Sequence, residues 1–103
     1  MPLSKENEQK ITKNYARIVN ELLHVKIVDA LISKEVLSLD DGERINSKAT
    51  QLDKNKEFIR LLLKAPEKGY NEFIEELRND PVYVDLADQI EKTEVNIQES
   101  TVG

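Results

Sequence analysis

Residues 38–43 read Ser-Leu-Asp-Asp-Gly-Glu, two adjacent carboxylates beside one of only three glycines in the chain. Carboxylates clustered around a glycine are the chemistry of a calcium loop. Such a loop needs oxygen ligands at positions 1, 3 and 5, glycine at position 6 and a bidentate glutamate at position 12. With Gly42 as the glycine, those positions fall on Leu37, Leu39, Asp41 and Lys48, so only one ligand is in place. The stretch is therefore not a metal loop. Ser38 followed three residues later by Asp41 matches a capping box with aspartate in the place of glutamate. Asp40 and Asp41 in a first turn also complement the helix dipole. That account of the acids needs no ligand, and Gly42 becomes a helix-interior glycine in a short helix. Elsewhere the chemistry is thin. The one histidine, His24, falls at an expected helix junction, where a cap or surface contact is its ordinary role. Neither a glycine-rich phosphate loop nor a His/Glu metal pair is present, and Glu75-Glu76 has no sign of enclosure. An enzyme is not expected, and no metal or cofactor is implied.

The elements that must carry these residues follow from composition and period. A chain of 103 residues suggests one domain. It has 39% hydrophobic and 34% charged residues, the balance of an ordinary globular domain. Its aromatics are Tyr15, Phe58, Tyr70, Phe73 and Tyr83, so leucine, isoleucine and valine must supply most of the core. Without cysteine there are no disulfides and no thiol nucleophile, and a reducing, cytoplasmic setting is the expectation. The opening MPLSKENEQK has no apolar run, and no stretch approaches the roughly 20 apolar residues of a membrane span, so no membrane partner is implied. A net charge of −5 argues against a domain built chiefly to grip a phosphate backbone.

The apolar period is helical throughout. A first helix is expected from about Glu6 to Leu23, with Ser4 as its cap and Ile11, Tyr15, Ile18, Val19 and Leu22 as its inner stripe. The second covers Val25 to Lys34, and the pair Val36-Leu37 plugs the core from the connection. The third starts near Asp40 and ends near Ser47, anchored by Ile45. The fourth opens at Gln51 or Asp53, carries Phe58, Ile59 and three leucines, and stops before Pro66. Gly69 is expected to help the chain reverse, with the fifth helix running from there to Arg78. Asp80 then caps a sixth helix with Pro81 in its first position; it runs to about Lys92, burying Val82, Leu86 and Ile90. Residues 1–5 read as an extension, 6–92 as the domain and 93–103 as a flexible polar tail.

Charge is distributed unevenly over these helices. Acids gather on the second and third: Asp29, Glu35, Asp40, Asp41 and Glu43. Bases gather on the first and fourth: Lys10, Lys13 and Arg17, then Lys54, Lys56 and Arg60. Lys34 and Arg44 interrupt the acids, and Glu21, Asp53 and Glu57 interrupt the bases. A mixed surface of this kind is commonly just solvated, which leaves a purely structural helical domain open. A helix-turn-helix nucleic-acid binder is the other alternative, since residues 27–47 read helix, turn, helix. Acid on its second helix would repel phosphate.

The stretch LLHVKIVDALISKEVLSLDDGERINSKAT and the later PEKGYNEFIEELRND change these weights. Together they resemble the caspase recruitment domain, or CARD, of the death-domain superfamily, most like initiator-caspase prodomains, over about residues 8–92. The resemblance implies an all-α six-helix antiparallel Greek-key bundle, the death fold, with a bent or broken first helix. It also implies homotypic binding to another CARD-containing protein: a caspase, an apoptosome-type scaffold or an adaptor in apoptotic or inflammatory signalling. In the pairing mode it suggests, an acidic face meets a basic one. Asp29, Glu35, Asp40, Asp41 and Glu43 would form the first. Lys10, Lys13, Arg17, Lys54, Lys56 and Arg60 would form the second, with Tyr15 standing where caspase-type CARDs often place an arginine. Complementary patches on different faces also permit a homo-oligomer or filament.

Overall fold

In the computed structural model, residues 3–22 and 25–95 are described; Leu23, His24 and the stretch 96–103, on which part of the tail expectation rests, lie outside them. The order is α1 (Lys5–Lys13), α2 (Tyr15–Glu21), α3 (Val25–Ser33), α4 (Leu39–Asn46), α5 (Gln51–Leu63), α6 (Glu67–Arg78), a 3-10 turn (Pro81–Tyr83) and α7 (Val84–Lys92). With α1 and α2 read as one broken helix, this is the expected set of six. Across the bundle α2 packs on α5, α3 on α6 and α1 on α5 and α7, the interleaved order of a Greek key.

Local chemistry sets most boundaries. The Ser4 hydroxyl accepts from the Asn7 N–H, Thr50 does the same for Asp53, and Asp80 accepts from the Val82 N–H beside Pro81. At α4 the reciprocal capping box is complete: the Asp41 N–H donates to Ser38 Oγ, and the Ser38 N–H donates to Asp41 Oδ2, both at 3.0 Å. The acids of the opening stretch therefore begin a helix, as their spacing predicts. α3 ends in a Schellman motif. The Val36 N–H reaches back to the Leu31 carbonyl at 2.8 Å and the Glu35 N–H to the Ile32 carbonyl at 2.9 Å, with Val36 and Leu31 both buried. Glu35 holds the left-handed position at φ 64, where glycine is usual. The side-chain penalty there is about 1–2 kcal/mol. Glu35→Gly is therefore expected to raise the melting temperature by a few degrees, after glycine's own entropic cost of roughly 0.5–1 kcal/mol is subtracted. A drop in the melting temperature would show that the glutamate makes up the penalty elsewhere.

The core is built from the expected residues. Ile11, Ile18, Leu31, Ile45, Leu62, Leu77 and Ile90 are fully buried, and Phe58 and Phe73 lie at its centre with ring centroids 5.5 Å apart and planes tilted by 58°. Val36 and Leu37 plug it from the connection, as expected.

Three positions depart from the sequence expectation. The first helix breaks at Asn14, which shifts the stripe: Tyr15 turns outward, 39% exposed, and Asn14 is buried instead. The 3-10 turn, with three residues per turn rather than 3.6, swings Val82 into solvent and seats Tyr83 in the core. α6 starts at Glu67, so Gly69 lies inside its first turn rather than at a reversal. A β-carbon there would stand 2.9 Å from Val36 Cγ1 and 3.0 Å from Ala65 Cβ, so the glycine lets the α3–α4 connection approach α6. Gly42, inside α4 as expected, is also buried, and a β-carbon there would stand 2.8 Å from Ile32 Cδ1.

One core group is unsatisfied. The Tyr70 hydroxyl is buried with no hydrogen-bond partner among the described residues, and burial pushes its pKa up to about 12. Tyr70→Phe removes a desolvated hydroxyl and is expected to stabilise the fold by about 1 kcal/mol. The pH signature has a definite sign. Wild-type stability is full below the ordinary tyrosine value of 10.0 and falls as pH rises toward 12, because the unfolded chain releases the proton first. Urea midpoints at pH 8 and 11 should therefore diverge for the wild type more than for the variant; equal slopes would refute this account.

Candidate partner-binding faces

The five acidic candidates sit on α3, its C-terminal turn and α4. Asp29, Glu35, Asp40 and Glu43 are exposed and Asp41 is half-buried. Glu35 and Asp41 flank a groove whose floor includes Ile32, Val36 and Leu37. Asp40 and Glu43 share a shallower depression with Arg44. Among the described residues none of these five side chains is in an ion pair.

Lys34, which interrupts the acids in sequence, is drawn away from them. Its ammonium lies 2.8 Å from Glu72 and 3.0 Å from Glu76, with Glu75 at 3.9 Å, all on α6. The hydrogen bonds to Glu72 and Glu76 raise the Lys34 pKa, and the same bond holds the Glu72 carboxyl below the usual range. The α3–α4 surface is thus more uniformly acidic in three dimensions than in the chain.

The basic candidates behave in the opposite way. Arg17 is bonded to Glu21 at 2.9 Å and also to Gln89. Lys10 stands 3.7 Å from Glu6. Lys13 Nζ donates to the Glu94 carbonyl at 2.8 Å. Arg60 grips Glu57 through two hydrogen bonds, which lower the Glu57 pKa and raise its own; Asp41 contributes to the latter from across the α4–α5 contact. Lys54 and Lys56 have no ion pair among the described residues. Exposed pairs are worth only about 0–1 kcal/mol each, but they cancel charge locally. The net cationic surface therefore narrows toward Lys54 and Lys56.

Two residues enter that the charge count omits. Lys48, in the turn after α4, joins Lys56 and Arg60 around a groove of about 470 Å³ between α2 and α5, floored by Tyr15, Ile59 and Leu63. Leu39, the first residue of α4, is 74% exposed amid the acids. Neither lies on a helical stripe, so no periodic signal marks them. Asn55, on α5, is 1% exposed. Its amide donates to the Val19 carbonyl at 2.8 Å and the Leu22 carbonyl at 2.7 Å, while its Oδ1 accepts from Gln51. One side chain thus fastens the end of α2 to α5.

Among the described residues no helix is long and apolar enough to cross a membrane. The exposed acids of α4 are unsuited to a groove of nucleic acid, and the helix-turn-helix reading gains no support.

A family profile for the caspase recruitment domain matches residues 8–93. "Cell death protein 3" of Caenorhabditis remanei is 28% identical over 77 residues, covering 75% of this chain and 15% of that protein. "Caspase-2" of Gallus gallus is 25% identical over 96 residues, covering 93% of this chain and 22% of that protein. The chain thus spans less than a quarter of either relative. The six-helix order, the broken first helix and the profile match agree: this chain belongs to the caspase recruitment domain family, whose members are non-catalytic protein-interaction domains of apoptotic signalling.

Proposed function

We propose that the chain recruits or clusters a caspase, or a caspase activator, through a CARD–CARD contact in the cytoplasm. The α3–α4 surface, with Asp29, Glu35, Asp40, Asp41 and Glu43, is the acidic half of that contact. The α1, α2 and α5 surface, with Lys10, Lys13, Arg17, Lys54, Lys56 and Arg60, is the basic half. The observation that carries this reading is the unmatched acidity of α3–α4, given that Lys34 is held by α6. Several carboxylates left without counter-ions on one face repel each other and gain when a cationic partner arrives. Binding would raise the local concentration of an attached or bound protease, and no chemistry by this domain is needed.

The test is a titration of the labelled chain against isolated CARDs of caspases and their scaffolds at low and moderate salt. Saturable binding by at least one basic-faced CARD, weakening with salt, is expected. Failure of every such CARD to bind at low salt would overturn the proposal.

A further inference from the structure

Glu57 and Arg60 cancel as charges, but their geometry leaves donors over. Glu57 is a carboxylate on α5 only 9% exposed, whereas Arg60, one turn on, is exposed. The guanidinium meets it side-on: Nε donates to Oε1 at 3.2 Å and Nη2 to Oε2 at 2.5 Å, a two-pronged fit. A guanidinium carries five N–H donors in a rigid plane, and two are taken up here. Among the described residues Nη1 has no partner, so the Nη1–Nη2 edge, a second fork of the same kind, is unfilled. Asp41 acts on Arg60 from across the α4–α5 contact but lies beyond ion-pair distance. Lys48 and Arg44 act on Glu57 without bonding to it. Turning Arg60 away would strand a nearly buried carboxylate, which is strongly destabilising. Arg60 therefore meets a partner with Glu57 still attached. Lys48, Lys56 and Asp53 line the same groove.

We propose that Glu57 is a positioning residue for recognition: it fixes Arg60 so that the free Nη1–Nη2 edge takes one aspartate or glutamate carboxylate of an acidic-faced CARD. This rests on the basic half of the contact proposed above and adds a geometric requirement to it. A free surface arginine is a mobile cation that attracts any anion. Arg60 is already held along one edge, so little rotamer freedom is lost when a carboxylate takes the other. Glu57 also weakens the cationic pull of the face at long range, so encounter is slower while the bound carboxylate is better held. Orienting and cancelling have opposite consequences when Glu57 is changed, and that makes them separable. A mere counter-charge would hinder an acidic partner, and its loss would tighten binding.

Association and dissociation rates against isolated acidic-faced CARDs, immobilised one at a time on a sensor surface, test this, with thermal melts to confirm folding. Glu57→Gln keeps the shape and one acceptor oxygen but loses the charge. Its dissociation rate is expected to rise about 2- to 10-fold, the effect of freeing one long side chain, while its association rate stays level or rises. Glu57→Asp keeps the charge but draws the carboxylate back by one methylene. It should also dissociate about 2- to 10-fold faster, with association unchanged. In an Arg60→Ala chain, neither change at Glu57 should alter dissociation further. Slower dissociation of Glu57→Gln would make Glu57 a counter-charge only and overturn its positioning role. An equal effect with and without Arg60 would do the same, because it would mark a general loosening of α5. If an acidic-faced CARD binds the parent and neither Glu57 variant changes dissociation, the basic half stands and the positioning role falls. If no acidic-faced CARD binds the parent, both fall.

Discussion

Asn55→Ala is expected to cost roughly 3 kcal/mol of stability and about 12–20 °C in melting temperature. The change removes the donor that serves the Val19 and Leu22 carbonyls in a site 1% exposed, where water does not replace it. Each orphaned buried acceptor costs about 1–3 kcal/mol. Against a total stability of about 5–15 kcal/mol for a domain of this kind, the loss is a large share. Asn55→Asp should be worse, since it turns a carboxylate toward two carbonyls and buries its charge. Thermal melts of the two variants give the check. A shift under a few degrees in both would mean that α2 is fastened to α5 by packing alone.

The second large effect is on binding. Asp40→Lys combined with Glu43→Lys should reduce capture of a basic-faced CARD by more than about 100-fold, because like charges set face to face cost several kcal/mol. The fold should hardly change: both side chains are exposed, and the loss of one first-turn acid costs at most about 1 kcal/mol. Asp41 is the wrong residue to reverse. Its carboxylate closes the capping box with Ser38, worth about 0.5–2 kcal/mol, so its removal would confuse a weaker helix with a weaker contact. Binding of the double variant should return, in whole or part, when acidic residues replace lysines on the partner. Normal capture by the double variant, together with a normal melt, would remove Asp40 and Glu43 from the contact.

Much of the fold was legible in the chain because local signals and the apolar period agreed. Ser4 ahead of α1, Ser38 with Asp41, and Asp80 with Pro81 each mark a helix start in residue types whose chemistry is local. What was not legible depended on contacts across the bundle. The resemblance implied a broken first helix but not the place of the break: Asn14 lies in a sequence whose stripe runs on unbroken, and it is held there by Gln89 and Thr93, far along the chain. Gly69 looked like a reversal because its reason for being glycine is a valine in the distant α3–α4 connection. The acidic face was nearly readable, since helix position and charge are both in the chain. The basic face was less so, because Glu57 and Glu21 cancel Arg60 and Arg17 only once side chains have met.

The clasp at Asn14 also bears on the order of events during synthesis. Its partners Gln89 and Thr93 lie 75 and 79 residues downstream, and Ser4 is bonded to Glu67, 63 residues away. Contacts of such long separation close late. A nascent chain emerging from the ribosome cannot seat α1 until α7 is out, although Ile11 needs burial from the start. Of the helices described, the one made earliest thus completes its contacts only when the latest is in place. Until it does, Ile11 and the surface it covers on α5 and α7 stay open, and chaperones or aggregation have their best access during that interval.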